Sequence, residues 1–252
     1  MNKSLEIVIP VLNEERVLAA SVGAVHHFLS GHMNSYEWSI TIADNGSTDQ
    51  TPEVARRLID FYDRVGYTVL DQRGRGRALK KAWLDSNADL VAYMDVDLST
   101  NLNDLIPLVE AIADEGYDLA IGSRLLGGSL VEGRSRGREF TSRAYNMVIQ
   151  ATFFVGFRDA QCGFKAVSRH AADLLLPLVK DSGWFFDTEL LIVAEKNGFR
   201  IKEIPVRWYD DPDTRVRVFS TAMHDLAGLA RLRLGGLRSA SSRLRQSLRQ
   251  GV

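Results

Sequence analysis

Two carboxylates one residue apart, Asp95-Val96-Asp97, follow an apolar run at residues 90–94. At the end of a strand, acids at this spacing can both turn toward one hard cation once the chain leaves regular β geometry. Mg2+ or Mn2+ suits carboxylate oxygens, and Mg2+ typically keeps water and substrate phosphates as its other ligands. A solvated turn explains the triplet equally well when it is taken alone. The burial expected of the preceding strand favours the cation, because two unpaired carboxylates in a crowded cleft are costly.

Two more polar turns follow apolar runs: Pro10-Val11-Leu12-Asn13-Glu14-Glu15 and Asp44-Asn45-Gly46-Ser47-Thr48-Asp49. Asn, Asp, Gly and Ser are ordinary turn residues, so neither segment says much by itself. At neighbouring strand ends, two acidic turns suit a nucleoside pocket, where a carboxylate accepts from a base N–H or a ribose hydroxyl. Arg73-Gly74-Arg75-Gly76-Arg77-Ala78 precedes a helical pattern. Glycines there permit close backbone approach, and a helix start with arginines favours phosphate, although the spacing is not a Walker loop. Gly122-Ser123-Arg124 ends a fifth apolar run and offers an arginine that can grip a diphosphate bidentately.

The elements that must position these groups alternate. Residues 5–10, 38–43, 68–70, 90–94 and 119–122 read as strands; 14–29, 52–65, 77–86 and 104–115 read as helices. Thr51-Pro52-Glu53 is a good helix start, with an N-cap oxygen, proline at the first position and an early acid. Alternation of this kind implies βαβ units in a mainly parallel sheet, whose ligands sit beyond the carboxyl ends of the strands. In the second half, 127–137 reads as a glycine- and arginine-rich loop, 140–154 and 187–197 as helices, and 163–168 and 201–208 as strands. A helix over 220–233 is broken by Gly235-Gly236, and a basic tail follows.

At 252 residues, with 45% hydrophobic and 25% charged residues, the chain has the composition of one α/β domain, or a domain with an appendage. Its single cysteine, Cys162, excludes an internal disulfide and fits a reducing compartment. The five histidines lack zinc-ligand spacing. We read no signal peptide, and the uncharged stretch 144–157 falls short of the ~20 residues a spanning helix needs. Net charge is −1, but residues 228–252 carry six arginines and no acid, which leaves −7 on residues 1–227. That asymmetry points to an anionic partner for the tail.

Taken in order, these segments resemble glycosyltransferase family 2, which has the GT-A fold. The likeness is strongest to its polyprenyl- and dolichyl-phosphate branch, especially the glucosyl-transferring members. Later segments extend it: Arg158-Asp159-Ala160-Gln161-Cys162-Gly163-Phe164-Lys165 and Trp184-Phe185-Phe186-Asp187-Thr188-Glu189-Leu190-Leu191, over about residues 5–233. The resemblance implies a Rossmann-like, mainly parallel sheet flanked by helices, with amphipathic interfacial helices and a basic C-terminal tail. It divides residues 1–233 into a nucleotide-sugar half to about 126 and an acceptor half after it, leaving 234–252 as a tail.

Carried over by residue, the resemblance implies that Pro10, Leu12, Asn13, Glu14 and Asp44 surround the nucleoside, with Gly74, Arg75, Gly76, Arg124 and Arg215 also on the donor. Asp95 and Asp97 hold Mg2+ or Mn2+ on the diphosphate, and Arg138 and Ser142 meet the acceptor phosphate. Two departures stand out. Asn45 replaces a second aspartate of the turn, and Ser99 stands where the mannosyl branch often has glutamine, which weakens a mannosyl assignment; UDP-glucose is the first-choice donor, with GDP-mannose or another UDP-hexose next. The implied reaction is a single inverting displacement at the anomeric carbon. Asp159 or Glu189 either orients the acceptor or serves structure, and a hydroxyl acceptor would require one of them as base. A non-catalytic nucleotide-sugar-binding adaptor is the rival of another class, and intact Asp95 and Asp97 argue against it.

Residues 140–157 carry Tyr145, Met147, Val148, Ile149, Phe153, Phe154 and Phe157, to be divided between core packing and a face lying on an anionic membrane, with Arg134, Arg136, Arg138 and Arg143 meeting lipid phosphates. In the tail, Leu237, Ala240, Leu244 and Leu248 share a helical face, readable as a membrane-surface helix or a solvated terminus. No aromatic interleaving supports nucleic-acid binding. The expected location is the cytoplasmic face of a membrane, and the oligomeric state is left open.

Overall fold

The computed structural model describes residues 2–70, 72–210 and 218–250. Its frame is a seven-stranded sheet in the order β3-β2-β1-β4-β7-β5-β8, built from β1 (Lys3–Val11), β2 (Tyr36–Asp44), β3 (Val65–Val69), β4 (Leu90–Met94), β5 (Leu119–Ser123), β7 (Phe164–Ser168) and β8 (Ile201–Pro205). All neighbours run parallel except β7, which lies antiparallel between β4 and β5. Short strands β6 (Leu130–Glu132) and β9 (Arg207–Tyr209) pair separately. The expected mainly parallel, helix-flanked sheet is what forms.

The strands are apolar on both faces because helices cover both. Along β1, Leu5, Ile7, Ile9 and Val11 enter one buried cluster and Val8 the other. The first cluster lies under α1 (Leu18–His32), α2 (Thr51–Phe61) and α4 (Leu105–Ala113). The second lies under α3 (Arg75–Asp85), α6 (Arg169–Leu175) and α7 (Phe186–Lys196) and includes Trp83, Phe185 and Phe186. Each such side chain contributes roughly 1.5–3 kcal/mol by leaving water. Because β1 sits between β2 and β4, the carboxyl ends of all three open on one edge, and the segments after Val11, Asp44 and Met94 meet there.

Several boundaries differ from the sequence reading, each for a local reason. The helix expected from residue 14 begins at Leu18, because Asn13 turns with φ 58° and the following residues clasp the loop after β2. The helix expected to reach 65 stops at Phe61; Arg64, at φ 62°, reverses the chain, and β3 starts at Val65. The strand expected over 201–208 is two strands, because Pro205 ends the pairing with β5 and Arg207 begins the pairing with β6.

The region after β6 is α5 (Arg136–Phe153), capped by the Ser135 side chain, which accepts from Arg138 N. Ile149, Phe153 and Phe157 are core residues, whereas Phe140, Met147, Val148 and Phe154 are exposed. At the C-terminus, α8 (Val218–Arg231) passes through a kink at Gly235, φ 131°, into α9 (Leu237–Gln250). The segment expected as a solvated or membrane-lying tail is thus a docked helix. Ala240 and Leu244 join the core cluster, and Arg243 donates to Pro177 O at 3.2 Å. The apolar face read at 237, 240 and 244 is used in packing, so that face is not free for lipid; Leu248 remains half exposed. Among the described residues, no helix is long and apolar enough to cross a membrane.

Candidate functional site

The loops after β1 and β2 are laced together by polar contacts. Asn13 N–H donates to Ser47 Oγ at 2.9 Å, Asn13 Oδ1 accepts from Thr48 N at 2.8 Å, and Glu14 N–H donates to Thr51 Oγ1 at 2.8 Å. Asp44 is fully buried, and its two oxygens accept from Ser47 N and Tyr67 Oη, both at 2.8 Å. Burial, then the hydrogen bond to Asp44 and the charge of that carboxylate, pushes the Tyr67 phenol above its ordinary range, so it stays a donor. Asp44 is therefore fixed in orientation beside half-buried Pro10, Leu12, Asn13 and Glu14, the residues expected around a nucleoside. Asn45 serves structure, since its Oδ1 accepts from Gly74 N at 2.5 Å and ties this turn to the start of α3.

The glycines flanking Arg75 answer to protein neighbours. A Cβ on Gly74 would meet Ser182 O at 2.4 Å, and one on Gly76 would meet Phe186 Cβ at 2.4 Å. Arg77 N–H donates to Ser182 O at 3.1 Å, so part of the helix start expected to face phosphate is already engaged. Arg75 itself is clamped. Its Nη2 meets Asp95 Oδ1 at 2.6 Å, its Nη1 meets Asp187 Oδ2 at 2.7 Å, and its guanidinium lies over the rings of Tyr93 and Trp184.

Asp187 Oδ1 also accepts from Tyr93 Oη at 2.6 Å and pairs with the Lys165 ammonium at 3.2 Å. Burial would raise the Asp187 carboxyl, but Lys165 and Arg75 outweigh it and hold it below the usual range. Two cations and two carboxylates, from α3, β7, α7 and the end of β4, thus close a neutral cluster, covered except at Asp95, a third of whose side chain is exposed. Single buried charges are expensive, and a matched set of this kind fixes where each member sits.

Asp95 and Asp97 sit just past β4, as expected from the sequence. Asp95 N–H donates to Gly163 O at 3.1 Å, and a Cβ on Gly163 would fall 1.6 Å from Asp95 Oδ2. Asp97 is exposed, and its Oδ1 accepts from Ser99 N at 3.0 Å. Among the described residues, no group of three or more His, Cys, Asp or Glu gathers to hold a metal. A pair of hard oxygen donors without a third fits a cation that completes its shell with water and phosphate, as Mg2+ and Mn2+ do, and does not fit a closed protein cage.

Arg124 and Asp159 form a buried bidentate pair, with Nε–Oδ2 2.8 Å and Nη2–Oδ1 2.9 Å, and Arg124 N–H adds a third bond at 3.0 Å. Burial alone would raise Asp159; the charge and hydrogen bonds of Arg124 prevail and hold it at about 2. Glu189, 1% exposed, is gripped by Arg231 at 2.9 and 2.7 Å and by Asp181 N at 2.8 Å. Of the two roles open to these acids, the contacts describe the structural one: each carboxylate is spoken for by an arginine. Arg138 pairs with Asp210 at 2.6 Å, and buried Ser142 keeps an unpartnered Oγ. Arg215 lies outside the described residues.

Tyr67, Tyr93, Lys165, Asp187 and Trp208 belong to the site without having been expected there; Arg124 stacks over Trp208 with 4.8 Å to the ring centre. One signal is present in the sequence. A lysine inside Phe164-Lys165-Ala166-Val167 and an aspartate following Phe185-Phe186 are charges in apolar runs, and each demands a buried partner.

Comparison with known proteins agrees with this geometry. Residues 6–176 match Glycosyl transferase family 2. Glycosyltransferase AglD of Haloferax volcanii is 38% identical over 213 residues, covering 84% of this chain and 34% of that protein. The dolichyl-phosphate beta-glucosyltransferase of Mus musculus is 30% identical over 218 residues, covering 82% of this chain and 67% of that one. The chain thus spans about a third of the first relative's length and two thirds of the second's. Crystal structures of glucosyl-3-phosphoglycerate synthase from Mycobacterium tuberculosis share the fold. The complex with Mn2+, UDP and phosphoglyceric acid gives a TM-score of 0.61 at 21% identity, over 95% of this chain and 78% of that one. The complex with Mn2+ and UDP-glucose gives 0.65 at 17%, over 92% and 79%.

Proposed function

The chain belongs to glycosyltransferase family 2, and on that footing we propose that it transfers a hexose, glucose from UDP-glucose first, to a polyprenyl phosphate with inversion. GDP-mannose and other UDP-hexoses are the next donors to test. The observation that carries the reading is the placement of buried Asp44 and of Asp95, clamped by Arg75, at the carboxyl ends of β2 and β4, the two strands that flank β1. The relatives' names supply the acceptor class: several are dolichyl-phosphate beta-glucosyltransferases.

In this reading Asp44 and its laced loops hold the nucleoside, and Asp95 and Asp97 hold Mg2+ or Mn2+. When bound, that cation neutralises charge on the donor diphosphate. Arg75 positions Asp95 by the 2.6 Å ion pair, and Asp159 aims Arg124 toward the donor. Ser142 and Arg138, the latter steadied by Asp210, face the acceptor. A phosphate monoester has its second pKa near ~6, so at neutral pH the acceptor is already an anionic nucleophile. The protein then needs positioning and charge stabilisation more than a base. The engagement of Asp159 and Glu189 by arginines supports that economy over transfer to a hydroxyl.

Residues to about 126 form the donor half and those from 127 to 233 the acceptor half. The exposed stripe Arg136, Phe140, Arg143 and Met147 on α5, with Phe154 just past its end, would lie against anionic lipid at the cytoplasmic face. The test is transfer of radiolabelled glucose from UDP-glucose to polyprenyl phosphate in vesicles with Mn2+. Label in the organic phase supports the proposal; label transferred only to water-soluble hydroxyl acceptors would replace it. Vesicle co-sedimentation with Phe140→Ser and Met147→Ser tests the membrane face: binding equal to the parent protein's would discard that face.

A further inference from the structure

Around the start of α5, several arginines are closely matched to carboxylates. Arg124 gives Nε and Nη2 to Asp159, Arg138 gives Nη1 to Asp210, and Arg143 gives Nε to Glu139. Arg134 is different. Its side chain is 9% exposed, yet Nε and Nη1 have no hydrogen-bond partner. Glu139 Oε2 stands 3.5 Å from Nη1, while the other oxygen of that carboxylate is bonded to Arg143 at 2.6 Å. Asp159 and Asp210, whose charges also reach Arg134, are each bonded to another arginine.

A buried guanidinium with open donors beside a second arginine is an unfavourable arrangement for the protein alone. Burial, then the Arg124 charge, pulls the Arg134 pKa below its ordinary range. Buried donors of this kind are rare in folded proteins unless a ligand, ion or water completes them. A second feature points the same way. Arg134 immediately precedes Ser135, the N-cap of the 18-residue helix α5, so its guanidinium works next to the positive end of a long helix dipole. Two turns further along α5, Ser142 Oγ is buried and also without a partner.

We infer that Arg134 is an anion-binding residue of the acceptor half, whose open Nε and Nη1 are two separate donors for the oxygens of a phosphate monoester. The inference rests on the lipid-phosphate reading above and names a residue for it that is distinct from Arg138. Arg138 is matched to Asp210 before any ligand arrives, whereas Arg134 is matched to nothing of comparable geometry. Two donors fixed at different angles on one planar group are not reproduced by a single ammonium, so lysine is a poor substitute.

The experiment is calorimetric titration of the full chain with a short-chain isoprenyl phosphate and, separately, with UDP-glucose plus Mn2+, for the parent protein, Arg134→Gln and Arg134→Lys. We expect Arg134→Gln to bind the isoprenyl phosphate at least tenfold more weakly and UDP-glucose within twofold of the parent, without a lower Tm. Arg134→Lys should fall between. Unchanged isoprenyl-phosphate affinity in both variants overturns the role of Arg134 and leaves the lipid-phosphate reading standing. Equal loss of UDP-glucose affinity overturns the assignment to the acceptor and moves Arg134 to the donor diphosphate. A parent protein that binds UDP-glucose but no isoprenyl phosphate overturns both readings.

Discussion

Gly163 faces the carboxylate of Asp95 so closely that a methyl group on its α-carbon would fall 1.6 Å from Oδ2. The backbone N–H of Asp95 donates to the carbonyl of the same glycine at 3.1 Å, so the segment before β7 presses on Asp95 from one side while Arg75 draws it from the other. The position of this acid is thus built by three separate segments. Gly163→Ala should displace the carboxylate, cut kcat/KM at least a hundredfold and cost about 1–3 kcal/mol through overpacking. Steady-state kinetics beside a thermal melt separate the two effects. A Gly163→Ala protein with parental turnover would show that the observed setting of Asp95 is not the working one.

Asp187 carries the charge balance of the buried cluster. Removing it in Asp187→Ala strands Arg75 and Lys165 in a low-dielectric site, and breaking a buried pair in this way typically costs about 3–5 kcal/mol. Urea unfolding should show the loss as a lower midpoint with little change in slope. An unaltered midpoint would mean that water reaches these charges and that the cluster does not fix Arg75.

Asp159 makes an acid-side prediction. Its folded pKa of about 2 lies below the ordinary carboxylate value. Its stabilising contribution is therefore present above the unfolded pKa of about 4 and is lost as pH falls through about 2. Asp159→Asn should be destabilised at pH 6 and should converge on the parent toward pH 2, where both lack the charge. A constant gap in Tm from pH 6 to pH 2 would rule out an ionised Asp159 as the source.

Asp225 makes the opposite one. It is 1% exposed on α8, accepts from Gln161 Nε2 at 3.1 Å, and leaves Oδ1 unpartnered. Burial, aided by the charge of Asp181, outweighs the hydrogen bonds of Tyr145 and Gln161 and the neighbouring His224, and raises it to about 6. A raised carboxyl pKa gives stability that is complete below the unfolded value near 4 and lost as pH climbs through about 6. Asp225→Asn should therefore match the parent at pH 4 and gain about 1 kcal/mol, roughly 2–4 °C in Tm, above pH 7. Transfer to a lipid phosphate should survive the change. Its collapse, with the fold intact, would mark Asp225 as a base and favour a hydroxyl acceptor.

How much of this is legible in the sequence follows from how locally each feature is specified. The sheet, the acidic turns after β1 and β2, and Asp95-Val96-Asp97 are readable because strand period and turn chemistry are properties of short windows. The contacts of Lys165 and Asp187 are not, because both cross between elements far apart in the chain: Arg75 and Asp187 are 112 residues apart. The glycines around Arg75 suggest room for phosphate, yet the space they free is filled by Ser182 and Phe186. For the last helix, Ala240 and Leu244 mark the correct apolar face, but amphipathicity alone does not say whether protein or lipid covers it.

All of the proposed chemistry depends on Asp95 and Asp97 joining a divalent cation to a nucleotide-sugar diphosphate at the end of β4. The decisive measurement is calorimetric titration of UDP-glucose into the parent protein and into Asp97→Asn, each with and without Mn2+. We expect saturable binding by the parent that strengthens at least tenfold with Mn2+, and an Asp97→Asn protein that keeps its Tm but loses the Mn2+ dependence. Binding of equal strength in all four titrations would refute the metal bridge.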